Sequence, residues 1–149
     1  MWFVPHDFDP PTTFTIDDLR LEPLGPHHNE RDHAAWMSSI EHIRSSPGFP
    51  DGRWPYVMSL EANRSDLERH AGHFVDRVGF TYTVLDPDDD VVGCLYIYPA
   101  KDGIHDVVVQ SWVRQSIADR DGAVRRAIAD WITQGAWPFE RPLYEPLLG

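Results

Sequence analysis

The chain has one cysteine, Cys94, comparatively few basic side chains and no long apolar run. A lone cysteine excludes an intramolecular disulfide and any multi-cysteine metal site, and it suits a reducing cytoplasm. Thirteen Lys and Arg stand against 24 Asp and Glu, for a net charge of −11. That balance speaks against nucleic acid or an anionic membrane as the main partner, since both need clustered cations. No apolar stretch approaches the roughly 18 residues of a membrane helix; the strongest, residues 91–98, is strand-sized. The first residues have neither the basic start nor the apolar run of a secretion signal. Missing too are the Gly-x-Ser-x-Gly elbow of serine hydrolases, a P-loop, a dinucleotide fingerprint and a His-Glu-x-x-His zinc pattern. There is no internal repeat and no low-complexity segment.

What is present is enough for one domain. At 149 residues, folding removes roughly 70% of the unfolded chain's surface, so a hydrophobic core can form without a metal or disulfide. Residues 1–18 carry three prolines among Trp2, Phe3, Val4, Phe8, Phe14 and Ile16. They read as an irregular arm lying on a single domain that spans residues 19–149.

Within that domain, residues 19–24 read as a short strand ended by Pro23, Gly25 and Pro26. Asn29 is a candidate N-cap for a helix over 30–44, with Ala34, Met37 and Ile40, and with them Trp36 and Ile43, as the candidates to face the core. Residues 45–58 hold three prolines, two glycines and the aromatics Phe49, Trp54 and Tyr56. Such a loop is either a binding lid or a connection pinned by its rings.

A second helix starts near Ser59 or Ser65, where Ser65 and Glu68 fit a capping box, and stops at Gly79. Its apolar positions are Leu67, Ala71, Phe74, Val75 and Val78. Strands at 80–85, 91–98 and 106–113 follow, the first two joined by an acidic turn at 86–90. A third helix over 117–134 leads to a last strand near 143–148. The order β-α-α-β-β-β-α-β defines an α+β (mixed α/β) fold: a central, mostly antiparallel sheet with helices on both faces.

This succession, with the strand at Leu19 to Leu24, Ala34 to Trp36 in the first helix, Thr83 to Pro87 with Val91 to Cys94, and the strand–loop–helix from Val107 to Trp131, resembles the GNAT superfamily of N-acetyltransferases over residues 19–148. The resemblance implies transfer of an acetyl group from acetyl-CoA, as cosubstrate, to a small-molecule or peptide amine. It places the cofactor where the strand at 106–113 splays from the last strand. The pyrophosphate is then expected on N–H groups at the start of the following helix. On this chain the cofactor residues implied are Trp112, Val113, Arg114, Gln115, Arg120, Gly122 and Ala123.

The family's glycine-rich loop is here reduced to one glycine, Gly122. Asp119 and Asp121 stand where the phosphates would lie, and Ser116 with Asp119 reads as a capping box using the same N–H groups. Tyr144 is the counterpart of the tyrosine that protonates the departing thiolate in many relatives. Their further hairpin is absent from these residues, so the sheet is expected to expose an edge, or to have it covered by the arm or by a second copy in a homodimer.

Amine acetylation needs a base, and the candidates are Asp106, His105 and Glu61. Each also has a plain reading: turn polarity for His105 and Asp106, and a favourable acid in the first helical turn for Glu61. His27, His28 and His33 cluster near the first helix, and His70 and His73 stand three apart on the second. Neither set has a third ligand at defined spacing, and no metal is expected. The alternative function is a catalytically inactive GNAT-fold module that binds a ligand or a protein.

Overall fold

The computed structural model describes residues 2–49 and 53–149. In chain order the elements are β1 (Phe14–Ile16), β2 (Leu19–Pro23), α1 (Asn29–Met37), α2 (Ile40–Arg44), α3 (Leu60–Asp76), β3 (Phe80–Leu85), β4 (Val91–Pro99), β5 (Val107–Val113), α4 (Asp121–Thr133) and β6 (Pro142–Leu143). Short 3-10 turns at Pro26–His28 and Gln115–Arg120 precede α1 and α4.

The six strands form one sheet in sequence order, antiparallel throughout except for the parallel β5–β6 pair. On one face, α4 places Val124, Ile128 and Ile132 against Leu21, Tyr82, Leu95 and Val109. On the other, Ala35, Trp36, Ile43 and Leu67 from α1 to α3 cover Leu85, Cys94 and Trp112. The expected class, with helices on both faces, is the one observed.

Several local expectations are corrected. The arm contains a strand: β1 pairs with β2 through a turn in which Asp17 takes a left-handed backbone (φ 54). Aspartate tolerates that conformation better than most residues, which is what lets so short a hairpin close. The arm's apolar residues pack on the α4 face, where Phe14 stacks on Trp131 at 4.3 Å and Phe8 lies 5.4 Å from Trp137.

The helix expected over 30–44 is broken at Ser39, whose φ of −135° is not helical. The buried stripe of α1 is Asn29, Asp32, Ala35 and Trp36, while Ala34 is exposed. Helix α3 starts at Ser59, whose Oγ accepts the Ala62 N–H at 3.0 Å, so Ser65 and Glu68 lie inside the helix and cap nothing. It ends on Arg77, in the left-handed conformation two residues before Gly79. Val75 and Val78 are exposed. The last strand is two residues long, followed by a turn that pairs Tyr144 with Leu148.

Candidate functional site

Parallel pairing between β5 and β6 stops after Val107 with Pro142 and Val108 with Leu143. Beyond that point the β5 edge meets side chains. Arg125 on α4, only 4% exposed, donates from Nη2 to the Ser111 carbonyl at 2.8 Å and from Nη1 to the Glu145 carbonyl at 3.2 Å. Its Nε donates to Asp121 Oδ2 at 2.9 Å. Tyr144, 1% exposed, is hydrogen-bonded to Ser111 Oγ at 2.5 Å. Burial pushes its phenol up to about 12. Both the carbonyl and the hydroxyl of Ser111 are therefore engaged by the protein, and the cleft between the strands is filled by a guanidinium and a phenol ring.

In the stretch expected to cradle phosphates, two arginines and one N–H are already engaged. Arg114 pairs with Asp90 at 3.4 Å, and Arg120 with Asp18 at 2.7 Å. The Gln115 N–H donates to Ser39 Oγ at 2.9 Å. Gly122 and Ala123 lie exposed on the first turn of α4. Ser116 and Asp119 do not cap it, because the helix is entered through a 3-10 turn with Arg120 in helical conformation. Trp112 and Val113 are core residues, with Trp112 Nε1 donating to the Tyr96 hydroxyl at 3.0 Å.

The three candidate bases are not brought together. Both carboxylate oxygens of Asp106 accept backbone N–H groups, from Glu140 at 2.8 Å and Arg141 at 3.0 Å, which pins the segment entering β6. His105 Nδ1 lies 2.6 Å from Asp102 Oδ2 in the β4–β5 turn; hydrogen bonds from the His105 ring, its own N–H and that of Ile104 hold the Asp102 carboxyl well below the usual range. Glu61 is exposed on the first turn of α3.

A concave site lined by aromatic and buried polar side chains lies on the face of the sheet opposite α4, under the loop before α3. A cavity of about 490 Å3 is lined by Asp32 of α1, Phe49, Arg53, Trp54 and Met58 of the loop, Asn63, Asp66, Arg69 and His70 of α3, Tyr96 of β4 and Gln110 of β5. Gln110 Nε2 donates to the Gly48 carbonyl at 2.6 Å, tying the loop to the sheet. Residues 50–52 of that loop are outside the described residues.

At the inner wall, Asn63 Nδ2 donates to Asp32 Oδ2 at 3.0 Å and to Asn29 Oδ1 at 2.9 Å, while Asn63 Oδ1 accepts Trp36 Nε1–H at 3.1 Å. Asp32 is 4% exposed. Burial raises its carboxyl from 3.8 to about 6, against a lowering by the Asn63 hydrogen bond. Sequence reasoning missed Asp32 and Asn63. The signal was that Asn29 and Asp32 continue the apolar face of Ala35 and Trp36 at helical spacing.

His70 is the other titratable group of this wall. Its Nδ1 is hydrogen-bonded to the Tyr98 hydroxyl at 2.8 Å and to Thr81 Oγ1 at 3.0 Å, and His73 shares the same phenol at 3.0 Å. Burial, with the neighbouring Arg69 and His73 charges, lowers His70 from 6.5 to about 4. A base whose folded pKa is depressed stabilises the fold fully above its unfolded value, and that contribution is lost as pH falls through 6.5 toward 4. The stability of the wild type relative to His70→Gln is expected to drop by up to about 3 kcal/mol over that window, read by urea unfolding at a series of pH values. A pH-independent difference would refute the assignment.

Among the described residues, Glu22, His27 and His28 bring ligand-type atoms within 4.8 Å of one another. His28 Nδ1 accepts the Gly25 N–H at 3.1 Å, so its Nε2 carries the proton and faces Glu22 at 2.8 Å. His28 and Glu22 thus form a hydrogen-bonded pair in which the His28 ring has no lone pair left for a metal. His33 Nε2 is 2.8 Å from the Met58 carbonyl. No helix among the described residues is long and apolar enough to cross a membrane.

Antiparallel strands β2 to β5, helices on both faces and a parallel last strand that parts from its neighbour make up the fold of the GNAT acetyltransferases. Superposition on solved structures bears this out. The ribosomal-protein-S5-alanine acetyltransferase of Vibrio fischeri matches with a TM-score of 0.62 at 15% identity, over 83% of this chain and 68% of that one. RimL, the ribosomal L7/L12 alpha-N-protein acetyltransferase, solved with coenzyme A, matches at 0.62 and 13%, over 84% and 70%. MccE, the microcin C7 self-immunity acetyltransferase, solved with acetyl-CoA and AMP, matches at 0.63 and 13%, over 83% and 66%. At these identities the likeness is one of fold. No protein-family model and no curated protein matches the sequence.

Proposed function

We propose that this chain is a ligand-binding protein built on the acetyltransferase fold, its ligand held in the cavity beside Asp32 and Trp54. The observation that carries the reading is Arg125. A pantetheine arm binds this fold by adding its amides to the free edge of the splayed strand, in the manner of an extra β-strand. Here the Ser111 carbonyl on that edge already accepts from a buried guanidinium that is itself paired with Asp121. Displacing it would strip a buried charge of its partners, which costs several kcal/mol. The Ser111 edge as it stands does not fit a CoA arm, and in the adjoining loop the Gln115 N–H, Arg120 and Arg114 are engaged by Ser39, Asp18 and Asp90.

The second reading is N-acetyl transfer from acetyl-CoA to a small-molecule or peptide amine, in the cytoplasm, by a monomer or homodimer. Asp32 favours it: a carboxyl raised to about 6 at the wall of a cavity is placed and tuned to take a proton from an ammonium acceptor. A thermal-shift titration with acetyl-CoA separates the two. A site filled at 100 times its Kd adds about 2.7 kcal/mol of stability, a rise of several degrees for a domain of this size. We expect millimolar acetyl-CoA to leave the melting temperature unchanged; a rise of that size would select acetyl transfer.

A further inference from the structure

We propose that the cavity takes a planar aromatic cation, with its ring against Trp54 and Tyr96 and its charged nitrogen on the Asp32 carboxylate. The inference rests on the reading of this cavity as the ligand site and specifies the ligand's chemistry.

The first observation is the ring arrangement. Trp54 is flanked by Trp36 at 5.7 Å and Trp112 at 6.4 Å, between centroids. It meets Phe49 at 5.9 Å and Tyr96 edge-on at 6.3 Å, with the planes 80° apart. The Tyr96 hydroxyl is held by Trp112 Nε1. Tyr96 is flanked in turn by the His70 ring at 5.8 Å, and two rings set near right angles and held by their neighbours make a preformed corner, in which a flat ligand stacks on one ring while meeting the other's edge. The faces of both rings are electron-rich and favour a cation.

The second observation is the charge placement. Arg53, Arg69 and Asp66 also line the cavity, but both arginines are exposed, and Arg69 lies 3.3 Å from Asp66. Charges in water are screened. Asp32 is buried and accepts its hydrogen bond from Asn63, a neutral amide. An ionised carboxylate out of water calls for a positive partner, and the cationic type nearest it, the adjoining His33, turns its Nε2 to the Met58 carbonyl and makes no ion pair with Asp32. His70, on the same wall, is kept neutral by its burial. Ring corner and carboxylate open on the same cavity, whose volume of about 490 Å3 falls in the range of small-molecule sites.

Isothermal titration of the wild-type protein at pH 7.5 with three probes tests this. Benzamidine carries both ring and charge, benzamide the same shape without charge, and butylamine the charge without a ring. Benzamidine is expected to bind roughly tenfold or more tightly than either, the size expected when a desolvated charge contact or a cation–π contact is lost. Asp32→Asn, which keeps an oxygen for Asn63, is expected to abolish the difference between benzamidine and benzamide. Equal binding of benzamide or butylamine, or no heat with benzamidine, overturns the proposal. If Asp32→Asn does not fold, the three-probe comparison on the wild type decides alone. Failure of the underlying reading is seen separately, as acetyl-CoA binding in the thermal-shift titration.

Discussion

Arg125→Met is expected to lower the unfolding free energy by about 3–5 kcal/mol, the cost of removing one partner of a buried ion pair. Methionine fills much of the same volume but leaves three acceptors without a donor: Asp121 Oδ2 and the carbonyls of Ser111 and Glu145. Asp121 is poorly placed to find new partners, because its other oxygen is buried and already unpartnered. Adding Asp121→Asn removes the stranded charge. The double variant is therefore expected to recover part of the loss, and a double-mutant cycle by urea unfolding gives the coupling directly. Additive losses would mean that Asp121 and Arg125 act independently, contrary to the 2.9 Å contact.

Asn63→Ala is expected to have a comparable effect, about 3–5 kcal/mol at neutral pH. It removes one side chain that serves three buried groups, Asp32, Asn29 and Trp36, each of which costs about 1–3 kcal/mol when left unsatisfied. The loss also depends on pH. The Asn63 hydrogen bond holds the Asp32 carboxyl down against burial, so its removal sends that carboxyl further above 6. An acid whose folded pKa is raised loses stability as pH rises from its unfolded value, 3.8, up to its folded one, so a higher folded value extends the loss to higher pH. The gap between wild type and Asn63→Ala is expected to be wide at pH 8 and narrower at pH 5, where Asp32 is protonated in both. A gap of constant width would show that Asp32 does not sense Asn63.

The meander and the class of fold were legible because their cause is local. Residues 80–85, 91–98 and 106–113 are rich in β-branched and aromatic side chains and are separated by Asp, Pro and Gly, so the strands are written into the chain almost residue for residue. Strand β1 was hidden because Phe14 to Ile16 follow Pro10 and Pro11, and three residues carry too little pattern to stand out.

The site was illegible for a different reason. Asp32, Asn63 and Arg125 are polar residues on helices, where solvation is the ordinary reading, and only tertiary packing buries them. Asp106 shows the converse. A carboxylate at a strand entrance reads as a base, yet both its oxygens hold the backbone of residues 140 and 141. Asp121, read from the sequence as a charge facing the phosphates, instead turns inward to Arg125 at the start of α4.

The sheet's sequential order, β1 to β6, has a kinetic side. Strands β3, β4 and β5 meet through short turns, so their contacts are near in sequence and form at little entropic cost. Pairing of Arg20 with Leu85 must instead close a connection of more than 60 residues, and such closures are made late because their entropy is lost before contacts repay it. That connection carries Asp32, Trp54, Asn63 and His70, whereas Tyr96 and Gln110 belong to the early meander. The cavity therefore comes into being only when the longest strand-to-strand closure of the sheet is made, and any ligand that fills it also holds that closure shut.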